Sequence, residues 1–381
     1  MLLNIALALT VSWQTANTVS TNEQSAPQIA TNRNGQVAVV WQDDRTEKGH
    51  PEIYLRLWSN GTAVYEKKLS PGGTAGVNWT HVQPDVSLDD KGDAVVVWAD
   101  DPDGNGVHNI PFRVVSPTGA ILGQGDANAS ADGDQIHPHV AVDPDGAPTS
   151  PTAVPFTVVW EDIQGTTHTI KAAGYTGTTT KAYEKIVSAT TGANHSPDVA
   201  VSASGDATVV WESGSNIGLT RVARANGAAL LSIRNANTQA AGAQTKPAVA
   251  ENFDGAFSVA WEGSQGVWER EFNAAGSGQS SDVQVTTAGA APSVGIDDQG
   301  GLMVGWTAGG VDGWMRGLNP DGTAAGRPAA QVLTQVATGK QYEYTLAVSP
   351  WGEAAIAYTD DNDGNGFDQV MLGLGATNSD W

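Results

Sequence analysis

The sequence predicts an all-β fold. It is a seven-bladed β-propeller of four-stranded antiparallel blades, with the ring closed by an N-terminal strand that completes the last blade. Three observations predict it. An apolar anchor in an alternating stretch recurs seven times, at Ile29, Val86, Val140, Val199, Val249, Val294 and Leu346. Six residues after each anchor comes a glycine: Gly35, Gly92, Gly146, Gly205, Gly255, Gly300 and Gly352. The strand that follows ends on a large aromatic: Trp41, Trp98, Trp160, Trp211, Trp261, Trp306 and Tyr358. Glycine and aromatic are six residues apart in six copies and fourteen apart in the third, where Ala147 to Val154 are inserted. A strand-type repeat with a period of about 50 residues points to one propeller blade per copy. A lone blade has two apolar faces and can bury them only against neighbours, so the copies must close into a ring.

Each copy divides into four strands, A to D. Strand A carries the Pro-x-Val-x phrase, as in Pro84 to Leu88. Strand B is the apolar run into the aromatic, as in Val95 to Trp98. Strand C is clearest over Glu52 to Trp58 and Asn109 to Val115. A glycine turn follows, at Asn60-Gly61, Thr118-Gly119, Thr176-Gly177, Asn226-Gly227 and Asp321-Gly322. Such pairs close hairpins because they tolerate positive φ. Strand D is read over Val64–Leu69, Tyr183–Val187, Ala229–Ile233, Asp282–Val285 and Gln331–Val336.

The last copy has a strand C (Gln369 to Leu374) and too few residues after it for a D strand. The N-terminus supplies one. Ile5, Leu7, Leu9, Val11 and Trp13 alternate with Ala6, Ala8, Thr10 and Ser12, which is strand periodicity. No basic residue precedes this run, so a mature strand is favoured over a remnant secretion signal. The expected blades are residues 24–80, 81–134, 135–193, 194–243, 244–288, 289–340, and 341–381 completed by 3–20. The repeat replaces the two or three domains that 381 residues would suggest with one ring.

The net charge of −22 argues against a duplex nucleic-acid binder, which needs a basic footprint. It also argues against anionic membrane surfaces, and no apolar run is long enough to span a bilayer. With no cysteine, disulfides, thiolate metal sites and cysteine nucleophiles are excluded.

The stretch Pro27 to Thr62, PQIATNRNGQVAVVWQDDRTEKGHPEIYLRLWSNGT, resembles TolB-type propeller repeats in its Pro-x-hydrophobic-Ala, Gly, hydrophobic-x-Trp, Asp-Asp-Arg and Ile-Tyr layout. The Ser-Pro-Asp-Gly turn common in those repeats is replaced by Asp143-Pro144-Asp145-Gly146 and Ser349-Pro350-Trp351-Gly352, and TolB's N-terminal domain has no counterpart. The resemblance implies the propeller fold and an exported bacterial setting: extracellular, cell-surface or periplasmic. Fold alone does not set function.

In a blade with strand A innermost, the D–A and B–C connections share one face, and the longer, more varied loops lie there. Two B–C loops match, Asp100 to Gly106 and Asp360 to Gly366. Asp101, Asp103 and Asn105, and likewise Asp361, Asp363 and Asn365, place oxygens at alternate positions before a glycine, as calcium-binding loops do. The twelfth-position glutamate of a helix-loop-helix site is missing, since Phe112 and Leu372 stand there. The other reading is a polar hairpin whose Asp and Asn side chains cap backbone N–H groups.

The D–A loops carry His81, His137 and His195, with Glu161 and Glu212 at nearby strand ends. Together these residue types hold a transition metal or supply acid–base groups. The histidines sit three, one and two residues before their prolines, which argues against a symmetric metal ring. Trp79, beside His81, is off the repeat register and is a candidate for stacking on a sugar. There is no Gly-x-Ser-x-Gly elbow, no phosphate-binding glycine loop, and no Ser-x-Asp-x-Gly-x-x-Trp turn of the kind sialidases repeat. The favoured function is a non-enzymatic, lectin-like binding or adhesion module for a glycan or protein ligand at Trp79, His81, His137 and His195, with calcium stiffening two loops. The alternative is a metal-assisted polysaccharide hydrolase or lyase using His81, His137, His195, Glu161 and Glu212.

Overall fold

The computed structural model describes residues 11–72, 77–146, 152–239, 241–309, 312–319, 330–331, 341–361 and 366–377. Their strands form seven four-stranded antiparallel sheets. Strand A lies at one edge of every sheet: Gln24–Thr31, Thr80–Leu88, Asp134–Val142, Asn194–Val201, Thr245–Glu251, Ala290–Ile296 and Gln341–Val348. Each A strand packs beside the next, and the seventh packs beside the first, so the sheets close into a seven-bladed propeller. Among the described residues there is no helix long and apolar enough to cross a membrane.

The closing blade is built from both ends of the chain. Ser12–Thr15 pairs with Gln369–Thr377, setting Trp13 opposite Gly373. The Gly373 position is glycine because a Cβ there would lie 2.4 Å from the Trp13 indole. Trp13 also meets Tyr358 edge-on, with ring centroids 5.4 Å apart. Ile5, Leu7 and Leu9 of the expected N-terminal strand lie outside the described residues, as do residues 147–151 of the third-copy insertion, the Asp321-Gly322 turn and Val332 to Val336 of the sixth D strand.

The repeated residues have distinct jobs. The aromatic at the end of strand B is a wedge. Trp98 packs against Ala38, Val40 and Leu55 of the preceding blade, and Trp160 packs against Val95, Val97 and Phe112 of its own predecessor. Trp41 closes the ring by packing against Ala357, Val370 and Leu372 of blade seven. The repeated glycine ends the A–B turn. All seven copies have φ between 70° and 89°, where only glycine is unstrained.

Strand A contains a feature the sequence did not announce. Each copy has a β-bulge at its upper end, centred on a non-glycine residue in the left-handed region: Ala26, Gln83, His137, Ser196, Lys246, Ala291 and Glu343, with φ from 47° to 55°. Proline follows in six of the seven. The bulge turns its own N–H toward the preceding blade, where a side chain accepts it. Gln83 donates to Gln42, His137 to Gln83, Ser196 to Glu161, Lys246 to Glu212, Ala291 to Glu262 and Ala26 to Glu343, at 2.6–3.3 Å. These bonds link six of the seven blade joints on the face that carries the D–A and B–C loops.

Trp13→Ala removes the indole that fastens the closing strand. It is expected to cost about 2–3 kcal/mol, the lower range for deleting a large apolar side chain that is only partly buried. Urea denaturation checks this. A loss below about 0.5 kcal/mol would show that Ser12–Thr15 does not hold the ring shut.

Candidate functional site

Glu161 follows the wedge residue Trp160 in strand B of blade three, Phe156–Gln164. Because side chains alternate along a strand, Trp160 faces back into the wedge and Glu161 faces forward, toward blade four. There its Oε2 accepts the Ser196 N–H at 3.3 Å. Three histidines converge on the same carboxylate. His168 Nδ1 lies 2.7 Å and His195 Nδ1 2.9 Å from Oε1, while His137 Nδ1 lies 3.3 Å from Oε2. The His168 and His195 rings meet edge-on, 4.6 Å apart.

Each histidine arrives from a different element. His137 is the bulge residue of blade three. His195 stands just before the bulge of blade four. His168 begins strand C of blade three, two places from Ile170, the cross-strand partner of Glu161. That diagonal offset puts both side chains on one face of the hairpin.

Glu161 is 2% exposed, whereas the three histidine side chains are 27–40% exposed. Burial pushes the Glu161 carboxyl up, but the hydrogen bonds from His137, His168 and His195 outweigh it and hold the group down at about 2. Glu161, His168 and His195 each offer a ligand atom, all within 4.8 Å of one another, so this cluster can hold a metal ion.

The structure thus joins three of the expected residues, His137, His195 and Glu161, and adds His168. It sets His81 and Trp79 elsewhere. His81 is fully buried, with Nδ1 on Asp100 and Nε2 3.0 Å from the Pro71 carbonyl, so neither nitrogen faces a ligand. It occupies the strand-A position that holds buried Gln24, Gln135, Asn194, Gln244 and Gln341 in other blades. Trp79 is 5% exposed, packed between the His50 and His81 rings at 4.9 Å from each, and presents no face to a sugar. Glu212 accepts the Lys246 bulge N–H at 2.8 Å and serves the joint between blades four and five.

In the first acidic loop, Asp101 accepts the N–H groups of Asn105 and Gly106 at 3.0 and 2.8 Å. Asp103 accepts from Asn105, and Asn105 Oδ1 accepts the Val107 N–H at 2.7 Å. These oxygens cap their own loop. Asp361 accepts the Gly366 N–H in the matching loop, at 3.2 Å from its nearer oxygen, while Asp363 and Asn365 lie outside the described residues.

Beside the cluster an axial cavity of about 590 Å³ runs between the A strands. Its wall carries His139, whose Nδ1 lies 3.5 Å from Asp85 of blade two and 3.4 Å from Asp198 of blade four. At the A–B-turn end, Arg33 pairs with Asp90 at 3.4 Å and Asp298 at 2.8 Å, and its guanidinium lies over the rings of Phe253 and Trp351. Arg33, Asp90, Phe253 and Asp298 line the cavity there.

No protein-family profile matches the sequence, and no curated protein matches it. Solved structures match the fold. A prolyl endopeptidase is 14% identical with a TM-score of 0.52; 94% of this chain is covered, but the chain spans only about half (50%) of the endopeptidase. A mutant of the NanB sialidase from Streptococcus pneumoniae is 9% identical with a TM-score of 0.52, covering 96% of this chain and 70% of the sialidase. A protein of unknown function from Dyadobacter fermentans is 9% identical with a TM-score of 0.51, covering 96% and 98%. At these identities the likeness is one of fold.

Burial alone would lower the His139 pKa, but Asp85, as charge and hydrogen-bond partner, and then Asp198 raise it from 6.5 to about 9. A raised folded-state pKa gives stability that is complete below pH 6.5 and lost as pH rises through about 9. Melting temperature is therefore expected to fall between pH 6.5 and 9.5, and the fall should be shallower in His139→Gln. Identical profiles for the two proteins would show that His139 is not the group responsible.

Proposed function

We propose that this propeller is a non-enzymatic, exported binding module that receives a glycan or protein ligand on its D–A/B–C face, over the joint between blades three and four. The observation that carries this reading is the convergence of His137, His168 and His195 on Glu161, with His139 on the wall of the neighbouring axial cavity: four of the seven histidines in a chain of net charge −22. Imidazoles donate and accept hydrogen bonds and present flat faces, which suits hydroxyl-rich or mixed polar ligands. The exposed edges of His137, His168 and His195 rim a surface whose floor is the ionised Glu161.

The hydrolase or lyase reading asks Glu161 or Glu212 to work on a substrate. Glu161 is buried beneath three imidazoles and a backbone N–H, and Glu212 is tied to the Lys246 bulge. Each carboxylate thus gives one oxygen to a bulge N–H across a blade joint, which favours binding over acid–base chemistry. The sialidase likeness lends fold and nothing further. The TolB-type resemblance supports the exported setting.

A glycan array followed by titration of the best hit tests the proposal. Binding without turnover is expected, with a loss of at least about tenfold in a His137→Ala protein whose circular dichroism spectrum matches the wild type. Release of product from a polysaccharide, abolished by the same substitution, would replace the binding module by an enzyme.

A further inference from the structure

We propose that Glu161, His168 and His195 bind a single divalent first-row transition-metal ion, with open coordination positions facing the solvent above blades three and four. The proposal goes beyond ligand binding and stands whether or not a glycan binds there.

The donor set comes first. Two imidazole nitrogens and one carboxylate oxygen suit zinc, nickel, cobalt or iron, whereas calcium takes oxygen donors. The spacing comes next. The two Nδ1 atoms lie 2.7 and 2.9 Å from Oε1. With metal–ligand bonds of about 2.0–2.1 Å, neighbouring donors are about 2.9 Å apart at right angles and about 3.4 Å apart in a tetrahedron. The two edges to Oε1 match the right-angled case and the His168–His195 edge lies within 4.8 Å, so the three donors would fill three positions of an octahedron. The remaining positions are then free for water or for oxygens of a bound ligand.

The surroundings support the same assignment. Oε1 would meet the metal while Oε2 stays on the Ser196 N–H and His137, which fixes the carboxylate plane. Outer hydrogen bonds of this kind orient metal ligands. His137 addresses the other oxygen at 3.3 Å and acts as a positioning residue. His168 and His195 are 27% and 35% exposed, so an ion has a way in. Ligand and proton compete for the same ring nitrogen, so binding releases protons and weakens in acid.

The experiment uses the full chain, stripped with a chelator and dialysed. Titration calorimetry with zinc chloride and with cobalt chloride should give one ion per chain. The double variant His168→Ala/His195→Ala should lose at least about 100-fold in affinity, while His137→Ala should lose less than about tenfold, the lower end for an outer hydrogen bond. Circular dichroism reports whether the variants fold. If the double variant does not, the wild-type chain decides: nickel should broaden the ring-proton NMR signals of His168 and His195 most strongly. No saturable ion, wild-type affinity in a folded double variant, broadening centred elsewhere, or the intense cobalt absorption of a tetrahedral site would each overturn the proposal. An ion bound without any glycan affinity would count against the glycan reading alone.

Discussion

The molecule depends on a backbone constraint repeated around its axis. Every strand A holds one non-glycine residue in the left-handed region at the top of the blade. That conformation costs roughly 1–2 kcal/mol per residue for a side-chain-bearing residue. In six blades the bulge N–H reaches a side-chain acceptor on the previous blade, a glutamate in four of them, and hydrogen bonds to charged acceptors are among the stronger ones in proteins. The proline that follows six of the bulges has no N–H to leave unpaired and a fixed φ, so the chain beyond the kink enters the strand in one direction. The aromatic wedges stand opposite the bulges on strand B and hold adjacent blades together by apolar packing. The belt and the wedges thus join the same blades in two ways, one polar and directional, the other apolar.

This constraint also decides where chemistry can sit. A bulge re-aims a side chain out of the sheet, and in this ring it sets His137 against Glu161 and places Glu343 on the wall of the axial cavity. Glu161 then has two duties. Through Oε2 it joins blade three to blade four, and through Oε1 it gathers two histidines, one from each of those blades. An ion or ligand that tightens this cluster therefore also tightens a blade joint. Binding to the face and stability of the ring are linked through one carboxylate.

The fold was legible in the sequence because it repeats. Seven anchors, seven glycines and seven aromatics in register leave little freedom, and each has a repeated physical role: core edge, positive φ, wedge. The site was legible only in part, because it breaks the repeat. His137 and His195 stand out in D–A segments, and Glu161 stands beside the wedge tryptophan. His168 was missed because it sits in a tight hairpin, not a long loop. Counting across Gln164-Gly165-Thr166 would have paired Glu161 with Ile170 and set His168 diagonal to it. His81 carried its own correction. It stands three residues before its proline, where other copies have a buried Gln or Asn, and a position used in this way by the repeat belongs to the blade. Trp79 could not be judged from sequence, since its neighbour His50 comes from a B–C loop 29 residues away.

The two ends of the ring are unequal for the same physical reason. On the A–B side each turn is closed by a left-handed glycine whose N–H returns to the carbonyl three residues earlier, as Gly92 does to Asp89 at 3.0 Å and Gly255 to Asn252 at 3.0 Å. The third copy keeps that bond, from Gly146 to Asp143 at 3.1 Å, and carries its insertion, Ala147 to Val154, after the glycine. Arg33, Phe253 and Trp351 of these turns form a cation–aromatic cluster. On the other side the bulge belt fixes the strand ends but leaves the loops beyond them free in length and composition. The side chains that the left-handed kinks turn outward therefore stand on the face that carries the D–A and B–C loops.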